Sequence, residues 1–147
     1  MAFWVWLRLT AILLGLPPAR TIPTARMEPL IAWVTEGVAL EEGTLQEAAE
    51  AVIWANHESG GDPLAISPDG KDCALLQMRG AARQGHTCAE LMADPVLCVR
   101  VWVRWLRKMR EVCGGSEVRA LGAVSSGKCG GVPRLVAGRC GAIGGCP

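Results

Sequence analysis

Apolar residues recur at helical spacing in several stretches of the chain. The sharpest pattern follows Thr44. Leu45, Ala48, Val52 and Ala55 share one face, and Ala49 and Ile53 widen it. Thr44 and Glu47 form a T-x-x-E capping box at its start. Gly60-Gly61 ends the helix and Pro63 cannot continue it, so the last turn carries His57, Glu58 and Ser59. A second helix opens at Asp94-Pro95, an aspartate N-cap followed by proline at the first helical position. Its apolar stripe is Cys98, Trp102, Trp105, Met109 and Val112, and Arg100, Arg104, Arg107, Lys108 and Arg110 fall largely outside that stripe. A third runs from Ser116 to Ser125, with Val118, Leu121 and Ala123 apolar, between Gly114-Gly115 and Gly127. Arg26 to Gly43 reads as a short helix and linker with Leu30, Trp33, Val34 and Val38 on a modest apolar face. Arg79 to Ala93 reads as a loop or short helix, and a short helix is expected at Pro133 to Ala137. There is no convincing alternating strand run and no internal repeat. The expected fold is mainly α, with one domain over residues 44–147 behind the short helix of 26–43.

Residues 1–25 change the picture of where this domain works. Met1 to Leu16 is apolar except for Arg8 and Thr10, and Pro17-Pro18 and small residues follow. This reads as a signal peptide, cleaved after Ala19 or Ala25. The apolar run is shorter than the roughly 20 residues of a membrane span, and an uncleaved anchor is the alternative. The expected location is therefore outside the cytoplasm, periplasmic or secreted. The cysteines agree with it. Cys73, Cys88, Cys98, Cys113, Cys129, Cys140 and Cys146 include no C-x-x-C pair, and the two histidines lack finger spacing, so disulfides are expected and a zinc site is not. Seven cysteines leave at least one unpaired. Cys98, on a core stripe, is the candidate. A net charge of +1 argues against a nucleic-acid binder driven by phosphate contacts.

The candidate chemistry centres on Glu58. Its carboxylate meets the negative end of the helix dipole, which disfavours the charged form and suits a general acid. His57 is adjacent but points elsewhere on the helix, and lone His86 reads as a surface or structural residue. Asp62, Asp69 and Asp72 lie in the loop beyond Glu58, where turn aspartates ordinarily bond backbone amides. No second carboxylate is convincingly placed. The basic residues of the second helix read as a solvated face, with a surface for an anionic polymer as the sharper alternative.

Glu58-Ser59, Asp62-Pro63, Ala65, Ser67, Gly70 and Ala74-Leu75-Leu76-Gln77-Met78 together resemble the lytic transglycosylase (SLT-type) branch of the lysozyme-like superfamily. That pattern reads E-S, then N-P, A, S, G, then G-L-M-Q and an apolar residue. The resemblance spans about Leu45 to Gly127. It departs at Ala74, which stands at the family's glycine, and in a loop about one residue longer. Val124-Ser125-Ser126-Gly127 stands where the family carries Y-N-x-G, and the chain has no tyrosine. The resemblance implies a disulfide-stabilised lysozyme-like domain acting on peptidoglycan glycan strands. It implies cleavage of the bond between N-acetylmuramic acid and N-acetylglucosamine, with Glu58 first as acid and then as base. The muramic 6-hydroxyl attacks its own anomeric carbon, leaving a 1,6-anhydro end. Ser59, Ser67, Gln77 and Ser125 would contact substrate, Ser59 also orienting Glu58. No metal or cofactor, no nucleic acid, no membrane beyond the N-terminal signal and a monomer are expected. Two alternatives stay open: a lysozyme-type hydrolase, and a non-catalytic, disulfide-stabilised wall-binding or assembly protein.

Overall fold

A computed structural model describes residues 24–130. The fold is mainly helical, with no strand among the described residues. Its helices are α1 (Thr24–Leu40), α2 (Leu45–Ser59), α3 (Cys88–Ala93), α4 (Pro95–Val112) and α5 (Glu117–Ser126), with one 3-10 turn at Gly80–Arg83. No helix among the described residues is long and apolar enough to cross a membrane. Residues 1–23 of the expected signal peptide lie outside the described residues. Thr24 and Ala25, the last two of that segment, begin α1. The helix expected at 133–137 also lies outside them, as do Cys140 and Cys146.

The chain forms two compact units that divide between Val103 and Arg104. In the first, α1 is longer than the short flanking helix expected, and it supplies core. Leu30, Ile31, Val34 and Val38 are buried on one face. Pro29 lies inside α1 and removes one backbone donor near its start. Gly37 marks where α1 meets α4, since a Cβ there would come within 2.7 Å of the Val99 side chain. Only a glycine lets the two backbones come this close.

Helix α2 is the central element. The Thr44–Glu47 box is formed in full. The Glu47 N–H donates to Thr44 Oγ1 at 3.1 Å, and the Thr44 N–H donates to Glu47 Oε2 at 2.9 Å. Such a cap contributes on the order of 1 kcal/mol. Every residue from Glu47 to Asn56 is buried, which the small side chains of Ala48, Ala49, Ala51 and Ala55 permit. Trp54 packs on Trp102 of α4 with ring centroids 5.7 Å apart. Asp94 closes α3 and caps α4, its carboxylate accepting from the Leu97 N–H at 3.0 Å. The first half of α4 buries Cys98, Val99, Val101, Trp102 and Val103, and Arg100 pairs with Glu41 at 2.8 Å.

The second unit holds the end of α4 and α5. Ser116 caps α5, and Ala120, Leu121 and Ala123 face inward. Arg110 pairs with Glu117 across the Gly114-Gly115 turn, and the Cys113–Cys129 disulfide ties the end of α4 to the segment after α5. A second disulfide, Cys73–Cys88, lies in the first unit. Cys98 is buried and unpaired, as its place on the core stripe implied. Burial pushes its thiol up to about 12, against a partial offset from the Leu76 and Leu75 N–H groups.

Candidate functional site

The site is built from the end of α2 and the loop that returns from it. Gly60 takes the left-handed conformation at φ +64, and its N–H donates to the Ala55 carbonyl, which stops the helix one residue after Ser59. Glu58 is left half-buried in the final turn. A carboxyl in that setting can exchange a proton with a bound group.

Ser59 connects the helix end to the loop. It is buried, and its hydroxyl lies 2.6 Å from the Leu75 carbonyl and 3.0 Å from that of Ala55. A serine hydroxyl has one proton to give. Both acceptors are main chain, so Ser59 fastens the 74–78 segment to the turn that carries Glu58. Its polar atom therefore acts on the protein rather than as an open ligand for substrate.

The 74–78 segment is a tight backbone clip. The N–H and C=O groups of Cys73 and Met78 pair reciprocally, at 2.8 and 3.3 Å. The Gln77 N–H donates to the Ala74 carbonyl at 3.1 Å. Both corners of the clip are left-handed and neither is glycine, with φ +68 at Ala74 and φ +48 at Gln77. The Gln77 side chain turns inward. Its amide nitrogen donates to the Ala65 and Ala74 carbonyls, each at 2.9 Å. Two carbonyl neighbours fix which end of the amide faces them, so Oε1 is the atom left to meet a ligand.

Ser67 and the aspartates close the outer half of the loop. The Ser67 hydroxyl donates to Asp69 Oδ1 at 2.6 Å and accepts from the Asp72 N–H at 2.9 Å. Asp62 accepts from the Leu64 N–H, as a turn aspartate does. Arg79 grips two carboxylates at once. Its Nε and an Nη meet Asp72 at 2.8 and 2.6 Å, and the same Nη meets Asp69 at 2.8 Å. The Asp69 carboxyl falls to about 2, from the Ser67 hydroxyl first, then the Lys71 N–H and Arg79. Asp69 and Asp72 are thus tied into the loop, and neither stands as a second carboxylate aimed at a bond.

The structure therefore brings Glu58, Ser59, Ser67 and Gln77 into one hydrogen-bonded segment, 58–79. Ser125 is exposed in the last turn of α5 and belongs to the second unit. Arg79 and the Cys73–Cys88 disulfide are the positioning groups that sequence reasoning did not single out. A lone arginine carries no signal until the loop has folded around it. The disulfide leads to α3, where Thr87 and Glu90 form a second capping box. That T-x-x-E was visible in the sequence, but a six-residue helix is too short to show an apolar period. Leu64 and Ile66, 65% and 57% exposed, give this loop an apolar outer surface. Compared with protein-family models, with curated proteins and with solved structures, the chain has no match in any of the three.

Proposed function

We propose that the chain is an exported peptidoglycan lytic transglycosylase with a lysozyme-like domain and Glu58 as its one catalytic carboxyl. The observation that carries the reading is the backbone at Ala74. The family pattern has glycine here, and φ +68 is the conformation glycine adopts without strain. The chain keeps the glycine conformation where it has lost the glycine. Two further observations support the proposal. Ser59 holds the A-L-L-Q-M segment against the turn bearing Glu58, and Arg79 holds Asp69 and Asp72, two of the three loop aspartates, in ion pairs.

In this reading Glu58 protonates the glycosidic oxygen as positive charge develops at the muramic acid C1. The resulting carboxylate then takes the proton from the 6-hydroxyl as that oxygen closes on C1. No water is consumed, and the glutamate ends protonated as it began. Gln77 Oε1 is the polar atom positioned to accept a hydrogen bond from the glycan.

A second reading, a non-catalytic wall-binding protein, is favoured by one specific observation. The Ser59 and Ser67 hydroxyls and the Gln77 amide nitrogen all serve the loop itself. Substituting Glu58→Gln separates the two. Release of soluble fragments from purified sacculi should fall roughly 100- to 10,000-fold with the melting temperature held, because glutamine cannot donate and then accept a proton. Asp72→Asn should lose far less. Unchanged release by Glu58→Gln would remove Glu58 from the chemistry.

A further inference from the structure

The charges of this chain are sorted by unit. Residues 24–103 carry five Lys and Arg against twelve Asp and Glu, a net charge of −7. Residues 104–130 carry six, Arg104, Arg107, Lys108, Arg110, Arg119 and Lys128, against Glu111 and Glu117, a net charge of +4. The whole-chain value of +1 conceals this division. Glu117 is engaged by Arg110, which leaves Glu111 as the other carboxylate on the cationic unit.

The cationic unit also carries a face of particular composition. Arg104 and Lys108, four residues apart on α4, are exposed on the same side. Lys108 Nζ lies 5.6 Å from the Trp105 ring centroid, and Trp105 is half-buried rather than core, unlike Trp102. Val112 is 64% exposed at the end of the same helix. Lys128 and Arg119 are exposed elsewhere on the unit. Cations beside an accessible aromatic ring match a polymer that offers both carboxylates and sugar faces.

We infer that this face of the second unit, centred on Lys108, Arg104 and Trp105, is a docking surface for an anionic wall polymer: glycan strands bearing peptides with free carboxylates. The inference takes its ligand from the proposed function and adds what holds it. Glu58 sits among residues 24–103, of net charge −7, which by themselves repel an anionic polymer. Opposite charge on the second unit supplies attraction, through a field that reaches about 8 Å at physiological salt. Charge complementarity of this kind sets encounter rate and salt dependence.

The test is co-sedimentation of the full Glu58→Gln chain with purified sacculi. Binding should weaken steadily as ionic strength rises through about 0.15 M. It should drop on the order of tenfold at low salt for the exposed pair Arg104→Glu with Lys108→Glu. It should also drop when the sacculus carboxylates are amidated. Undiminished binding by a folded double variant, or no effect of amidation, would overturn the inference. So would preference for vesicles of phosphatidylglycerol over sacculi, or self-association lost in the same variant. If the double variant does not fold, the amidation and salt arms on the otherwise unaltered chain decide the matter. Because the chain used does not depend on cleavage, the two claims fail separately. Salt-sensitive binding without fragment release from wild type would sink the catalytic reading alone, and fragment release with charge-independent binding would sink this one.

Discussion

At the scale of single residues, the account turns on positions whose identity looks wrong for their backbone. Ala74 is fully buried and left-handed at φ +68, and a side chain there costs about 1 kcal/mol or more. Glycine would relieve that strain while giving up one buried methyl and some unfolded-state entropy. Ala74→Gly should therefore leave stability unchanged or raise it by up to about 1 kcal/mol in urea denaturation, and leave activity intact. Ala51→Gly, at a buried position inside α2, is the comparison and should cost at least about 1 kcal/mol. Equal losses at the two sites would mean that the Ala74 conformation carries no strain. Ser59 and Gln77 were legible as polar residues in a motif, but not in what they do. Their partners Leu75, Ala65 and Ala74 are main-chain carbonyls up to 16 positions away, and no local pattern encodes those bonds.

Elements were legible where their ends are chemically marked. The box at Thr44, the Gly60 stop, the Asp94 cap and the Ser116 cap are short-range signals, and α2 to α5 each start or end on one of them. The length of α1 and its role in the core were less so, because Pro29 and Gly37 both read as helix breakers. Gly37 is there for packing. Alanine is the better helix former by about 1 kcal/mol, yet its Cβ would sit 2.7 Å from Val99. Gly37→Ala should destabilise by about 1–3 kcal/mol in chemical denaturation, and a gain in stability would contradict the close contact of α1 with α4. The Ser67–Arg79 loop makes a prediction in pH. Asp69 is lowered from 3.8 to about 2, so its ionised form favours the folded loop above pH 4, and that contribution is lost as pH falls toward 2. Its exposure keeps the effect local. The Asp69 carboxyl resonance should titrate with a midpoint near 2, together with the Lys71 amide it accepts from. A midpoint at 3.8 would show that the loop network is not formed in solution.

For the molecule as a whole, helical class and the presence of disulfides could be read from periodicity and cysteine count, but the pairing could not. Spacing alone does not distinguish Cys73–Cys88 and Cys113–Cys129 from other connectivities, and only the fold shows that one clips the motif segment and the other closes the second unit. The charge division was equally open to view, yet it acquires meaning only once the chain is seen to part between Val103 and Arg104. What unifies these features in our account is a half-buried glutamate at a helix end, beside a loop whose other polar groups bond to the protein, presented to a wall polymer. The most direct test is mass spectrometry of the soluble products after the purified oxidised chain is incubated with sacculi. The account predicts muropeptides ending in 1,6-anhydro-muramic acid, lighter by one water than hydrolysis products. Reducing-end muropeptides would contradict it and make the protein a hydrolase, and intact sacculi would make it a binder.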